Sequence, residues 1–334
     1  MTSLTPLQQH WLYALQRPWP LVERPLQALA TTLHTTESAL CAFLDELRTA
    51  GLVRRIGAIF DARRLGYRSC LFALTAHGEA LEAAARRLCA HPGITHAYTR
   101  GWPEGLTLGG LSASDYAPYP NLWYTLSAPA DDFSAHAATL ADLAPQPFPA
   151  LTRFKIDVVF DARTRNRDER TEYHGEAIPP AQALTTDRPS PTAIACVRRY
   201  QGDTATPEAP FRAEDLPLLN TWQTDGTLRR FALLLKHRAG GFIANGMCCW
   251  APPEAELLTL GRRLAQEPDV THCYARPAAP NFPFTLYAMI HKTAWQVGFE
   301  AFCHLSSLLP AGTPGKVFFS TREFKKSSIH FFPE

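Results

Sequence analysis

Segments with a helical period of apolar residues and segments with a strand period follow one another in an order that occurs twice along the chain. In the first copy Leu7, Trp11, Leu12, Ala14 and Leu15 share one helical face, and a second helix is predicted over Pro25–Leu33. A third carries Leu40, Phe43, Leu44 and Leu47 at helical spacing, opened by Thr35-Thr36-Glu37-Ser38 and stopped at Gly51. Leu52–Phe60 then alternates and turns at Asp61-Ala62-Arg63, as a wing hairpin would. Three short helices and a hairpin make a winged helix-turn-helix unit. From Tyr67 the pattern reads strand (Tyr67–Ala76), helix (Gly78–Ala90), strand (Ile94–Arg100), strand (Leu122–Ala128), helix (Asp131–Leu143), strand (Phe154–Phe160). That order is a ferredoxin-like βαββαβ unit, an antiparallel sheet with helices on one face.

The second half repeats the βαββαβ order over Gly241–Trp250, Glu254–Ala265, Val270–Ala275, Phe284–His291, Trp295–Leu308 and Val317–Ser320. Residues 166–191, polar and Pro-rich, read as a linker. Residues 192–226 stand where a second winged unit belongs but are too few, and QGDTATPEAPF from Gln201 replaces a helix. The predicted fold is therefore α+β, a tandem repeat forming a covalent pseudo-dimer. Its parts are a winged helix-turn-helix over 1–62, a ferredoxin-like domain over 63–165, the linker, a degenerate winged domain over 192–236 and a second ferredoxin-like domain over 237–334.

The repeat is legible in words as well as in pattern. HPGITHAYTR from His91 and EPDVTHCYAR from Glu267 share Pro92/Pro268, Thr95/Thr271, His96/His272, Tyr98/Tyr274 and Arg100/Arg276. GLVRRIGAIF from Gly51 matches GTLRRFALLL from Gly226, and a Pro-Asn followed by an aromatic strand occurs at Pro120 and at Pro280. Alternate residues of a strand share a face, so His96, Tyr98 and Arg100 project together, as do His272, Tyr274 and Arg276. An imidazole, a phenol and a fixed cation suit carboxylate binding and proton movement. The bland account, a polar outer face that duplication merely copied, weakens because these residues recur while Ala97 and Thr99 became Cys273 and Ala275. In Arg54-Arg55 and Arg229-Arg230, adjacent strand residues face opposite ways, so one of each pair is expected in a cleft and the other in solvent. Further cations (Arg63, Arg64, Arg68, Arg153, Lys155, Lys292, Arg322, Lys325, Lys326) gather near the predicted sheet ends.

Composition narrows the class. At 334 residues, 46% hydrophobic and 19% charged, with a formal net charge of +2, the chain is an ordinary globular protein, so its clustered cations imply a local basic cavity. Eight cysteines form no CxxC pair and fit a reducing compartment, while no signal peptide or membrane span is legible, so a cytoplasmic protein is expected. GxGxxG, P-loop, HExxH and GxSxG motifs are lacking. The third helix, with Glu37, Asp45 and Glu46 against Arg48 alone, suits DNA poorly.

A winged unit followed by a βαββαβ domain is the layout of the Lrp/AsnC regulators. RRIGAIFDARRLGY (Arg54–Tyr67), ITHAYTR (Ile94–Arg100), NLWYTL (Asn121–Leu126), RFKIDVVFD (Arg153–Asp161) and THCYARP with FPFTLYAMIH (Thr271–His291) resemble the siroheme decarboxylases, Lrp/AsnC-like proteins found as heterodimers or fusions. The resemblance covers almost the whole chain and implies the fused form used in haem d1 synthesis. It implies removal of two acetate carboxyls of siroheme as carbon dioxide, leaving 12,18-didecarboxysiroheme, with no cofactor or metal beyond the substrate's iron. His96 and His272 are the implied catalytic residues, as proton donors or as axial iron ligands. Arg54, Arg55, Arg100, Arg229, Arg230, Arg276 and Lys155 are the implied carboxylate partners, with Tyr98, Trp123, Tyr274 and His291 in the substrate clefts. Aligned on Pro-Asn, Trp123 falls opposite Pro283 and Lys155 has only a loose counterpart in Lys325, so two unequal clefts are expected. Siroheme, related iron tetrapyrroles and homologous decarboxylase subunits are the expected partners, with no membrane and no specific DNA. The alternatives are a tetrapyrrole-sensing transcription regulator and a haem-binding protein without catalysis.

Overall fold

A computed structural model describes residues 4–156, 159, 189–236 and 241–333. The predicted linker lies outside these residues except for its last three, as do 157, 158 and 160 of the strand expected to end at Phe160.

The first three helices form as their end signals dictate. In α1 (Pro6–Gln16) Thr5 and Gln8 cap each other reciprocally and Pro6 starts the first turn. After α2 (Pro25–Thr32), Thr36 caps α3 (Glu37–Thr49), whose Leu40, Phe43, Leu44 and Leu47 are buried. The chain then leaves the expected path. β1 (Val53–Phe60) does not fold back on itself. It passes through a 3₁₀ turn capped by Asp61 and ended by Gly66 at φ 76°, the left-handed region glycine adopts without strain, and enters the main sheet. Its partner is β7 (Leu228–Leu235), the equivalent strand of the second half, paired antiparallel from Val53–Leu235 to Phe60–Leu228. The predicted wing hairpin is thus replaced by a ribbon between halves. Ile56, Ala58 and Phe60 of one strand and Leu228, Phe231 and Leu233 of the other enter one core with α1, α3, α6 (Pro191–Tyr200) and α7 (Leu216–Asp225). Between α6 and α7, residues 201–212 form no helix, as expected.

The main sheet has nine strands, in the order β5 (Gln146–Phe148), β2 (Tyr67–Leu74), β4 (Leu122–Pro129), β3 (Ile94–Gly101), β11 (Gly315–Lys326), β8 (Ala244–Trp250), β10 (Leu286–Lys292), β9 (Val270–Ala275) and β6 (Thr152–Ile156). Its helices are α4 (Gly78–Ala90) and α5 (Phe133–Ala138) in the first half, and α8 (Leu257–Ala265) and α9 (Trp295–Ser307) in the second. The predicted helix over Asp131–Leu143 is shorter than expected, ending at Ala138 with a separate 3₁₀ turn over Ala141–Leu143. Two ferredoxin-like orders, β5-β2-β4-β3 and β11-β8-β10-β9, are joined by exchange. The far end of β11 leaves β8 and pairs with β3, while β6 pairs with β9. Residues 149–151 alone separate β5 from β6, so a short link of chain joins the two ends of the strand order.

Candidate active site

One cavity of about 1270 Å³ lies where the β1–β7 ribbon faces the main sheet, and both halves line it. The expected pair of clefts is a single chamber, larger than usual small-molecule pockets of roughly 300–1,000 Å³. His96, Tyr98 and Arg100 reach it from β3, and His272, Tyr274 and Arg276 from β9, as strand alternation predicts. Trp123 and His291 line it too.

All four arginines of the Arg-Arg pairs line it as well, against the expectation that one of each would face solvent. The ladder explains this. Val53 and Arg55 pair with consecutive residues Leu235 and Leu234, and Ile59 and Phe60 with Arg230 and Leu228, so Arg54 and Arg229 are bulge residues. A bulge breaks the alternation and re-aims its side chain. The same device acts at Thr95 and Thr271, each skipped in its pairing with β4 or β10, so that threonine and the following histidine come together. The His96 Nδ1 lies 2.9 Å from Thr95 Oγ1 and the His272 Nδ1 3.1 Å from Thr271 Oγ1. Each hydroxyl also reaches a backbone carbonyl, Thr125 O at 3.5 Å and Met289 O at 3.1 Å, and Thr271 Oγ1 lies 3.3 Å from His291 Nδ1 as well. Where the hydroxyl gives its one proton to the carbonyl, the imidazole Nδ1 is the donor and Nε2 keeps its lone pair. Burial, followed by neighbouring Arg54 and Lys326 for His96 and Arg229 and Lys326 for His272, pushes both imidazoles down to about 3, so both are neutral at neutral pH.

Lys155 is a correction. A bulge at Phe154 turns it out of the cavity, where Nζ donates to Glu267 O at 3.0 Å. Lys325 is its true counterpart, facing Ala97 as Lys155 faces Cys273 and donating to Cys89 O and His91 O. Both lysines tie a strand to the segment after a helix. Trp123 also changes partner. Trp123 opposes Tyr98 and Tyr287 opposes Tyr274, so register equates Trp123 with Tyr287 rather than Pro283. The second copy carries extra residues after its Pro-Asn.

Arg63, Arg68 and Arg153, seen in the sequence only as clustered cations, line the cavity, and Arg17 was missed because it follows α1, outside the repeated motifs. Among the described residues, ten arginines and Lys326 line the cavity with a single carboxylate, Asp61. Arg100 and Arg276 are stacked near Tyr98 and Tyr274, at 5.2 and 4.7 Å from the ring centres. Arg55 Nε, Arg100 Nη1, Arg276 Nε, Asn245 Oδ1 and Tyr287 OH are buried atoms of cavity-lining residues without a protein hydrogen-bond partner, although Arg55 and Arg276 each donate through Nη1 to a backbone carbonyl, Gln201 O and Phe148 O. Buried polar groups ordinarily find partners, so their convergence marks a binding site for a polar ligand. Leu71, Trp123, Met247 and Met289 add apolar wall. Among the described residues no group of histidine, cysteine and acid side chains could hold a metal ion, and no helix is long and apolar enough to cross a membrane.

A large anion-binding chamber between two AsnC-type units is the class of site this fold defines. Residues 239–325 match the AsnC-like ligand binding domain. Siroheme decarboxylase of Hydrogenobacter thermophilus is 30% identical, over 97% of this chain and 94% of that protein. The crystal structure of the siroheme decarboxylase NirDL superposes with a TM-score of 0.65 at 25% identity, covering 98% of this chain and 94% of that one. NirDL in complex with an iron-uroporphyrin III analogue gives 0.59 at 26% identity, covering 98% and 95%. The chain belongs to the siroheme decarboxylase family, whose members are carboxy-lyases.

Proposed function

We propose that this protein binds siroheme in the shared cavity and removes two acetate carboxyls, a step toward haem d1 carried out in the cytoplasm without a resident cofactor. The observation that carries the reading is the excess of guanidinium groups around two threonine-held imidazoles in one chamber. An octacarboxylate needs many charge-assisted donors, and a flat macrocycle needs apolar wall. In each step the bond between the acetate methylene and its carboxyl breaks and carbon dioxide leaves. The electron pair stays on the methylene carbon, with the tetrapyrrole as sink, and one proton converts it to a methyl group. An imidazolium at His96 or His272 supplies that proton from Nε2 and returns to the neutral Nδ1–H form that its threonine holds.

A DNA-binding role gains no support. Arg48, the one basic residue of α3, donates to Thr204 O at 2.9 Å in the irregular loop that replaces a helix of the second unit. Anaerobic incubation with siroheme and mass spectrometry of the tetrapyrrole tests the proposal. Loss of two carbon dioxide units is expected, and tight binding with an unchanged mass would leave a carrier instead.

A further inference from the structure

Asp61 stands out as the single carboxylate among the described residues lining a strongly cationic chamber. It is 6% exposed, at the end of β1. Its Oδ1 accepts from Arg63 N at 3.1 Å and Arg63 Nε at 3.0 Å, and its Oδ2 from Arg63 Nη2 at 2.9 Å and Arg153 Nη1 at 3.1 Å. Burial by itself would raise this carboxyl. The hydrogen bonds and charge of Arg63, joined by Arg153 and Arg229, hold it well below the usual carboxylate range.

Two members of this cluster, Asp61 and Arg153, have pseudo-two-fold mates of reversed charge. Asp61 N donates to Thr227 O at 2.8 Å, and Lys236 N donates to Leu52 O at 2.8 Å, so Lys236 occupies the position related to Asp61. Arg153 faces Tyr274 while Glu323 faces Tyr98, so Glu323 is the mate of Arg153. Asp61 and Arg153 line the cavity, whereas their mates Lys236 and Glu323 do not, and the position related to Arg63 lies outside the described residues. The chamber is built from two equivalent halves, yet among the described residues only one end holds this aspartate with two guanidinium groups. A guanidinium has five N–H donors. Asp61 takes two from the side chain of Arg63 and one from that of Arg153, fixing both planes and leaving further donors on each. The histidine walls differ as well, with Ser127 and Thr125 in the first half where His291 and Met289 stand in the second.

We propose that Asp61 is a positioning residue that holds Arg63 and Arg153 as a fixed receptor for one side-chain carboxylate of the tetrapyrrole, selecting one of the two orientations that the pseudo-two-fold chamber would otherwise accept. The inference rests on the decarboxylase reading. Orientation decides which acetate meets which imidazole, so one acetate is lost first and a single monodecarboxylated isomer precedes the product. A charge-assisted hydrogen bond of about 1.5–3 kcal/mol corresponds to about one to two decades of preference.

The test is single-turnover reaction with siroheme under anaerobic conditions, quenched early, with the isomers of the monodecarboxylated intermediate separated and counted. Wild type is expected to give one isomer in at least about tenfold excess. Asp61→Asn should keep siroheme binding, since it removes a competitor of the ligand's own carboxylates, and should give a mixture of both isomers. Arg153→Gln should give the same mixture, and Asp61→Glu should restore part of the preference. A purely structural aspartate would lower the melting temperature and leave the isomer ratio unmoved. A wild-type ratio in folded Asp61→Asn, or in Arg153→Gln where Asp61→Asn fails to fold, overturns the inference, as does an even mixture from wild type. Absence of any decarboxylation by wild type would remove the enzymatic reading itself, and this inference with it.

Discussion

Ligand binding should draw protons out of solution. In the ligand-free protein His96 and His272 are pushed down to about 3, by burial first and surrounding cations second, so neither can act as an acid at neutral pH. A substrate carboxylate at ~4 Å from an imidazole favours the charged form by ~4 kcal/mol at an effective dielectric constant of ~20. At ~1.4 kcal/mol per pH unit this raises the imidazole by about three units, to roughly 6. At pH 6 about half of each such imidazole is then protonated in the complex, against roughly one in a thousand before binding. Uptake approaches about one proton per chain if both histidines meet carboxylates, and about half a proton if one does. The assay is calorimetric titration with an iron porphyrin octacarboxylate in two buffers of different ionisation enthalpy. Heats that depend on the buffer near pH 6, and lose that dependence by about pH 8, are expected. Identical heats in both buffers throughout this range would refute protonation on binding and with it the general-acid role of these residues.

The same depression makes the protein acid-sensitive in its own right. The unfolded histidines titrate near ~6.5 and the folded ones near 3, so this stability is complete above ~6.5 and declines as pH falls toward 3, by up to ~1.4 kcal/mol per pH unit for each histidine. Thermal melts across this window check the slope. Substituting His96 or His272 by Ala should leave the arginines able to bind siroheme and slow turnover by roughly 10²–10⁴ for a proton donor. An axial iron ligand would instead shift the absorption bands of the complex, and unequal effects are expected because Ser127 and His291 differ beside the two sites. Arg100→Ala or Arg276→Ala should weaken siroheme binding by about one to two decades, read by spectroscopic titration. Gly261→Ala would place a Cβ 2.3 Å from the Phe154 ring, where α8 lies against β6. Overpacking of this kind costs about 1–3 kcal/mol, visible as a lower melting temperature.

Local periodicity carried the helices, because the buried faces of α3 and α4 are decided within a few turns of chain. Strand partners were not legible in the same way. Val53–Phe60 reads identically whether it meets its own hairpin or a strand 175 residues on, and the shared core with Phe231 and Leu233 decides the matter. The site was legible in residue type and only partly in direction. His96, Tyr98 and Arg100 obeyed strand alternation. Arg54 and Arg229 escaped it through bulges, which leave no mark in the sequence, and Phe154 sent Lys155 outward in the same way. Pro283 was matched to Trp123 because a shared Pro-Asn outweighed an insertion that only hydrogen-bond register exposes. Asp61 gave no signal of its own. Its meaning depends on Arg153, ninety-two residues away.

The exchange of β6 and β11 between the halves also bears on how such a protein can change. In a dimer of identical chains every substitution appears twice, at both ends of the symmetry axis. An aspartate at position 61 would then be matched by a second one, and the chamber would accept an unsymmetrical macrocycle equally well either way round. Here the halves share one sheet through exchanged strands, yet each is encoded separately. Asp61 against Lys236, Arg153 against Glu323 and Ser127 against His291 are differences that only a duplicated gene can accumulate while the joint architecture stays intact. Fusion thus turns a symmetric vessel into one with a top and a bottom.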